Sequence, residues 1–258
     1  MKAALVQIPI VWEDKDANFQ MVTEMLADTS FSDGGLIVLP ELFATGFTMN
    51  SESIAEDDFG PSEAFLVELA KEKSAHVIGG VAKNRKSGGK PWNCAVMVSP
   101  TGEIISRYRK THPFSLGEEH EHYSAGDTAE TVEIESVQVC PTVCYDLRFP
   151  ELFRIGAKNG AEVFVVIANW PDKRNQHWIT LLQARAIENQ ACVIGVNRCG
   201  EDPNLSYLGS TIAVDYMGEI IADAGSSAGV IEAEFDIDSL RDWRRGFPAL
   251  RDINRSLS

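Results

Sequence analysis

Val139-Cys140-Pro141-Thr142-Val143-Cys144-Tyr145-Asp146-Leu147-Arg148-Phe149-Pro150 changes character in its middle. Residues 137–143 are largely β-branched and apolar, the content of a buried strand. Pro150 suits the first turn of a helix through Leu152, Phe153 and Ile155, where a missing N–H costs nothing. Cys144 therefore falls at a strand-to-helix corner, near the positive end of a helix dipole. A thiolate is stabilised there and a substrate can reach it. A buried core cysteine is the competing reading, since free cysteine is among the most buried residue types.

Working outward, the chain alternates short apolar runs with amphipathic ones. Residues 2–8 alternate as a strand does, and Asp16 is the expected N-cap of a helix carrying Phe19, Val22 and Leu26 at spacings of three and four. Leu36-Ile37-Val38-Leu39 reads as a strand covered on both faces, ended by Pro40 and followed at once by Glu41. That carboxylate is either a functional acid at a strand end or a helix N-terminal acid facing a dipole. A helix over 61–73, a strand over 76–82 and a hairpin of 92–99 with 103–108 come next, the hairpin turning at Pro100-Thr101-Gly102. Its second arm delivers Arg107-Tyr108-Arg109-Lys110. Residues 111–127 lose periodicity but carry His112, Phe114, Glu118, Glu119, His120, Glu121, His122 and Tyr123. A loop of that length inside a compact domain is commonly functional.

Beyond the Cys144 corner, 162–168 is another buried strand, ending in Asn169-Trp170-Pro171. A helix over 176–189, strands over 191–196, 208–215, 219–222 and 230–235, and a short helix from Asp238 complete the chain. This order predicts α/β layers around mixed sheets.

The 258 residues are 44% hydrophobic with no linker-like stretch, enough for one large core. No apolar run approaches the roughly 20 residues of a membrane span, and the first residues lack a signal peptide's pattern. Five cysteines without CxxC spacing argue against a disulfide framework or thiolate zinc site, so a cytoplasmic, reducing location is expected. A net charge of −15 argues against nucleic-acid binding. Gly225-Ser226-Ser227-Ala228-Gly229 fits the serine-hydrolase pattern, but a strand follows it where that pattern needs a helix. No nucleotide-binding glycine loop is present. His120 and His122, with interleaved glutamates, could ligate a metal only if a third, distant ligand joined them.

A cysteine nucleophile needs a base. It could come from His112, His120, His122 or His177, or from a carboxylate–lysine set of Glu41 and Lys110, both placed at predicted strand ends. Residue chemistry alone leaves both sets open.

Leu39-Pro40-Glu41, Tyr108-Arg109-Lys110 and the Cys144–Pro150 segment resemble, in order and spacing, the three signature segments of the nitrilase (carbon–nitrogen hydrolase) superfamily. The likeness continues through Ala168-Asn169-Trp170-Pro171, residues 183–189 and Asn197-Arg198. With the final Phe247-Pro248-Ala249, the set is most similar to bacterial ω-amidases. Deaminated-glutathione amidases are next, then other small-amide or N-carbamoyl hydrolases of the superfamily.

The resemblance implies a four-layer α-β-β-α sandwich forming a single domain over 1–258, assembled as a homodimer or larger homo-oligomer. It implies Cys144 as nucleophile, Glu41 as general base and Lys110 as stabiliser of the tetrahedral intermediate. Glu119 is the matching accessory glutamate, with Glu118 and Glu121 adjacent. No metal or organic cofactor is implied. The expected substrate is a dicarboxylic acid monoamide of the α-ketoglutaramate or α-ketosuccinamate type. Tyr145, Asn169 and Trp170 are its expected contacts, with Arg148 or Arg174 anchoring its free carboxylate. Either arginine could instead pair structurally with Asp146, Glu151 or Asp172. A binding protein that had lost the chemistry would show an altered catalytic position, and all three are present.

Overall fold

The computed structural model describes residues 1–29 and 34–253. Six strands form the first sheet: β1 (Lys2–Gln7), β2 (Leu36–Val38), β3 (His76–Lys83), β4 (Trp92–Val98), β5 (Ile104–Arg109) and, at the far edge beside β1, β14 (Gly229–Glu234). Six more form the second: β6 (Val132–Ile134), β7 (Val137–Val143), β8 (Val163–Ala168), β9 (Cys192–Asn197), β12 (Ile212–Val214) and β13 (Ile220–Asp223). Each sheet is mixed. β1, β2 and β3 run parallel at the centre of one, and β7, β8 and β9 at the centre of the other, with antiparallel strands outside them. A separate ribbon pairs β10 (Cys199–Glu201) with β11 (Ser206–Leu208).

Alternation along the central strands explains the layering. Ala3 and Leu5 of β1 face the second sheet, in a cluster with Val139, Val165 and Ile194. Ala4 and Val6 face the other way, toward Val22 of α1 (Lys15–Met25) and Leu66, Leu69 and Ala70 of α3 (Pro61–Lys73). The four-residue α2 (Ser51–Ile54) lies between these two helices in the chain. On the outer face of the second sheet pack α5 (Pro150–Lys158) and α6 (Asn175–Asn189), through Phe153, Ala157, Leu182 and Ala186. The result is the expected α-β-β-α stack. α7 (Ile237–Gly246) closes the chain against the same cluster through Leu240. No helix among the described residues is long and apolar enough to cross a membrane.

Several local expectations change. Asp14 rather than Asp16 caps α1, accepting from the Ala17 N–H at 3.0 Å. The single strand expected over 208–215 is broken at Gly209 and Ser210, both left-handed (φ +76° and +55°), so its ends join different partners. The aperiodic stretch 111–127 is folded around a 3-10 turn, Ser115–Gly117, and a short helix, α4 (Glu119–His122).

Candidate active site

The C-terminal ends of β2, β5, β7 and β8 meet at one place. Glu41 arrives there because the chain leaving β2 lies flat on β3. The Gly80 N–H donates to the Pro40 carbonyl at 3.1 Å. A Cβ on Gly80 would stand 2.3 Å from the Leu42 nitrogen and 2.5 Å from the Glu41 Cα, so only glycine permits this approach. Leu42 then takes a left-handed conformation (φ +44°) and turns the chain away. Glu41 is thus in a tight turn and not at a helix N-terminus.

Lys110 follows directly on β5. Its N–H donates to the Asn93 carbonyl of β4, and its own carbonyl accepts from Gly126 N–H, both at 2.8 Å. Glu119 opens α4, with one carboxylate oxygen accepting from the Phe114 N–H at 2.6 Å. The side chains converge without water access: relative exposures are 0% for Glu41, 1% for Lys110 and 0% for Glu119. Lys110 Nζ lies 2.9 Å from Glu41 Oε1 and 2.9 Å from Glu119 Oε2. Asn93 Nδ2 donates to Glu41 Oε1 at 2.7 Å and Glu119 Oε1 at 3.0 Å. The Asn169 N–H donates to Glu41 Oε2 at 2.8 Å, and its Nδ2 to the Glu41 carbonyl at 2.6 Å. Glu118 and Glu121 take no part in this set. Glu121 is exposed, with Lys90 and His120 as neighbours, and Glu118 is the residue before α4.

Cys144 closes β7 with a left-handed backbone (φ +49°), a strained conformation for a residue with a side chain. A 3-10 turn, Cys144–Arg148, follows before α5 begins at Pro150. Asp146 organises that turn. Its carboxylate accepts from Val143 N–H at 3.0 Å, Tyr108 Oη at 2.8 Å and His112 N–H at 2.9 Å, and lies 2.9 Å from His112 Nδ1. Tyr108 and His112 flank Lys110, so one carboxylate clasps the lysine segment to the cysteine segment.

The electrostatics correct the expectation of a thiolate resting on a helix dipole. Burial, then the Glu41 charge, push the Cys144 thiol well above its ordinary value, with Lys110 opposing. The resting thiol keeps its proton. Burial also acts against the Lys110 charge, but Glu119 and Glu41 outweigh it and hold the ammonium firmly charged. Burial raises the Glu119 carboxyl, Lys110 partly offsets this, and the Glu41 charge adds to it. The other cysteines are buried too, and burial pushes Cys94, Cys140 and Cys192 up to about 12. Geometry, not acidity, sets Cys144 apart.

Cys144 opens into a cavity of about 400 Å³, including its mouth, walled by Phe47, Phe114, Tyr145, Trp170, Pro171, Leu205 and Tyr207. Arg148, Asn169 and Arg174 also line it. The Arg148 guanidinium stands 4.8 Å from the Trp170 ring centre and 3.3 Å from His177 Nδ1, and that of Arg174 5.4 Å from the Phe114 ring centre. Neither meets Asp146, Glu151 or Asp172: Asp146 is engaged as above, and Asp172 accepts from Ser206. Among the described residues no carboxylate forms an ion pair with either arginine. Burial, then the nearby Arg174 charge, lowers the Arg148 value, so the two cations repel across the mouth.

His112 is tied to Asp146, and His177 stands at the rim beside Arg148. His120 is half exposed beside Glu121, and among the described residues no three His, Cys, Asp or Glu side chains form a metal cluster. Sequence reasoning missed Asn93, Asp146, Phe47, Leu205 and Tyr207. The hairpin register could have revealed Asn93, since Cys94 pairs with Arg109 and Lys110 follows. Nothing local marks Tyr207, whose hydroxyl is fixed by Asp202 Oδ2 at 2.5 Å.

The family model described as carbon-nitrogen hydrolase matches residues 2–245. The chain is 40% identical to ω-amidase YafV of Yersinia enterocolitica over 261 residues, covering 100% of this chain and 98% of that one. It is 34% identical to the 2-oxoglutaramate amidase of Bacillus subtilis over 235 residues, covering 91% and 90%. Among solved structures, XC1258 of Xanthomonas campestris, a CN-hydrolase superfamily protein with an arsenic adduct in its active site, superposes with a TM-score of 0.92 at 32% identity. That match covers 98% of this chain and 97% of the other.

Proposed function

The chain belongs to the carbon–nitrogen hydrolase family, and from that premise we propose that it is an ω-amidase working through Glu41, Lys110, Glu119 and Cys144. The substrate is a short dicarboxylic acid monoamide such as 2-oxoglutaramate, the compound in the name of the Bacillus subtilis relative. One observation carries the substrate class. The cavity at the Cys144 thiol has two guanidinium groups in its lining with no carboxylate partner among the described residues. Guanidinium binds carboxylate in a planar, bidentate fashion. A free carboxylate held there leaves the amide at the other end of a short chain facing the sulfur.

In the chemical step, Glu41 takes the thiol proton while the sulfur attacks the amide carbonyl. The tetrahedral oxyanion is received by the Lys110 ammonium and the Tyr145 N–H, where one such donor is worth about 2.7–4 kcal/mol. Glu41 returns the proton to the departing nitrogen, and ammonia leaves a thioester on Cys144. Water, deprotonated by Glu41, then releases the acid and restores the thiol. Glu119, like Glu41 2.9 Å from Lys110 Nζ, helps hold the ammonium where the oxyanion forms. Tyr145, Trp170 and Asn169 line the path between the two ends.

Ammonia release across a panel of small amides tests this reading. Preference for 2-oxoglutaramate and 2-oxosuccinamate over neutral amides is expected, with an acyl mass added at Cys144 under single-turnover quench. Preference for deaminated glutathione would replace the ω-amidase assignment.

A further inference from the structure

Asn93 lies on β4 opposite Lys110, and its backbone carbonyl already secures that pairing whatever its side chain. The side chain is nonetheless buried, with 1% exposure, and reaches the centre of the polar set. Its single Nδ2 spans both glutamates, donating to Glu41 Oε1 at 2.7 Å and to Glu119 Oε1 at 3.0 Å. Lys110 Nζ spans the same two carboxylates at 2.9 Å each. Two bridges therefore join the glutamates, one charged and one neutral.

The orientation of the amide is fixed, because an ionised carboxylate only accepts hydrogen bonds. In consequence Asn93 Oδ1 points away from both carboxylates and finds no protein hydrogen-bond donor among the described residues. An unpaired buried carbonyl is unfavourable. The cost is offset by what the other end of the amide does. Two buried carboxylates share one ammonium, and without a second donor their mutual repulsion favours protonation of one of them. The titratable groups around the amide are Glu41, Glu119, Lys110, Cys144 and Tyr123; Tyr123 is raised by burial and by both glutamates, so it supplies no charge.

We propose that Asn93 is a positioning residue of the reaction: its amide ties Glu41 and Glu119 to one geometry around Lys110 and keeps Glu41 available as acceptor for the Cys144 proton. This rests on the reading of Glu41 as the base. Asn93 does not line the cavity, and its Nδ2 is engaged by the two glutamates, so it acts on the reaction through them.

The test measures kcat and KM for a small amide, and the pH dependence of iodoacetamide labelling at Cys144 by mass spectrometry, in wild type, Asn93→Leu, Asn93→Ser and Glu41→Gln. Labelling requires no amidase turnover. For Asn93→Leu, kcat is expected to fall about 10- to 100-fold with KM within about twofold. Its acid limb should move up by about one pH unit, because losing a donor to the anionic forms lets a carboxylate protonate at higher pH. Asn93→Ser, with one hydroxyl donor, should fall between, and is read instead if the leucine chain does not fold. A folded Asn93 variant with the wild-type acid limb, or with a raised KM and unchanged kcat, overturns the proposal. If the limb responds to Glu41→Gln but not to Asn93, the Asn93 role alone is lost; if Glu41→Gln leaves it unmoved, the general-base reading goes as well.

Discussion

The buried polar set behind Cys144, the inner end, and the mouth of the cavity are built on opposite electrostatic plans. At the inner end every charged group has an opposite partner: Lys110 lies between Glu41 and Glu119, and neutral amides of Asn93 and Asn169 complete the bonding. At the mouth, Arg148 and Arg174 rest on aromatic rings close enough to repel, with no anionic partner among the described residues. Buried charges persist only when paired and hydrogen-bonded, which is why the inner set is complete before a substrate arrives. Half-exposed guanidinium groups can wait in water for theirs. On the proposed function, the inner end serves any amide carbonyl and the mouth selects the subset carrying a negative charge.

The largest effect that could break this division comes from the sulfur. Cys144→Ala is expected to abolish ammonia release entirely, while Cys140→Ala and Cys192→Ala keep most of it. Steady-state turnover of purified variants checks this, and robust turnover by Cys144→Ala would end the covalent reading. Next in size is Glu41→Gln, which keeps the shape and removes the base. A loss of at least about 10²-fold in kcat is expected, the usual worth of general-base catalysis. His177→Asn, at the mouth, should leave kcat within a few-fold. A lethal His177→Asn beside a mild Glu41→Gln would move the base from the inner end to the rim.

The inner end was far more legible in the sequence than the mouth. Glu41, Lys110 and Cys144 each follow a recognisable strand, and their motifs lie within a few residues of it. Glu41 and Cys144 follow strands of the two parallel centres, and the antiparallel edge strand β5 brings Lys110 to the same place. What escaped there was geometric. The left-handed backbone at Cys144 leaves no trace in residue type, and the need for glycine at position 80 appears only once Leu42 lies on it. Asp146 reads as an ordinary acid in a turn until Tyr108 and His112 close on it. The cavity wall takes Phe47, Phe114 and Leu205 from loops and Tyr207 from β11, segments far apart in the chain. No periodicity links them. Gly209 was a visible warning that 208–215 would not run as one strand, since an isolated glycine commonly marks a break.

The measurement that tests the division most directly is the ratio of kcat/KM for 2-oxoglutaramate to that for a neutral amide of equal length, in wild type and in the Arg148→Met/Arg174→Met double variant. Hydrogen bonds to charged groups contribute about 1.5–3 kcal/mol, so the ratio should fall about 10- to 100-fold while the neutral amide is cleaved as before. Equal loss on both substrates, or an unchanged ratio, would contradict a mouth that selects by charge.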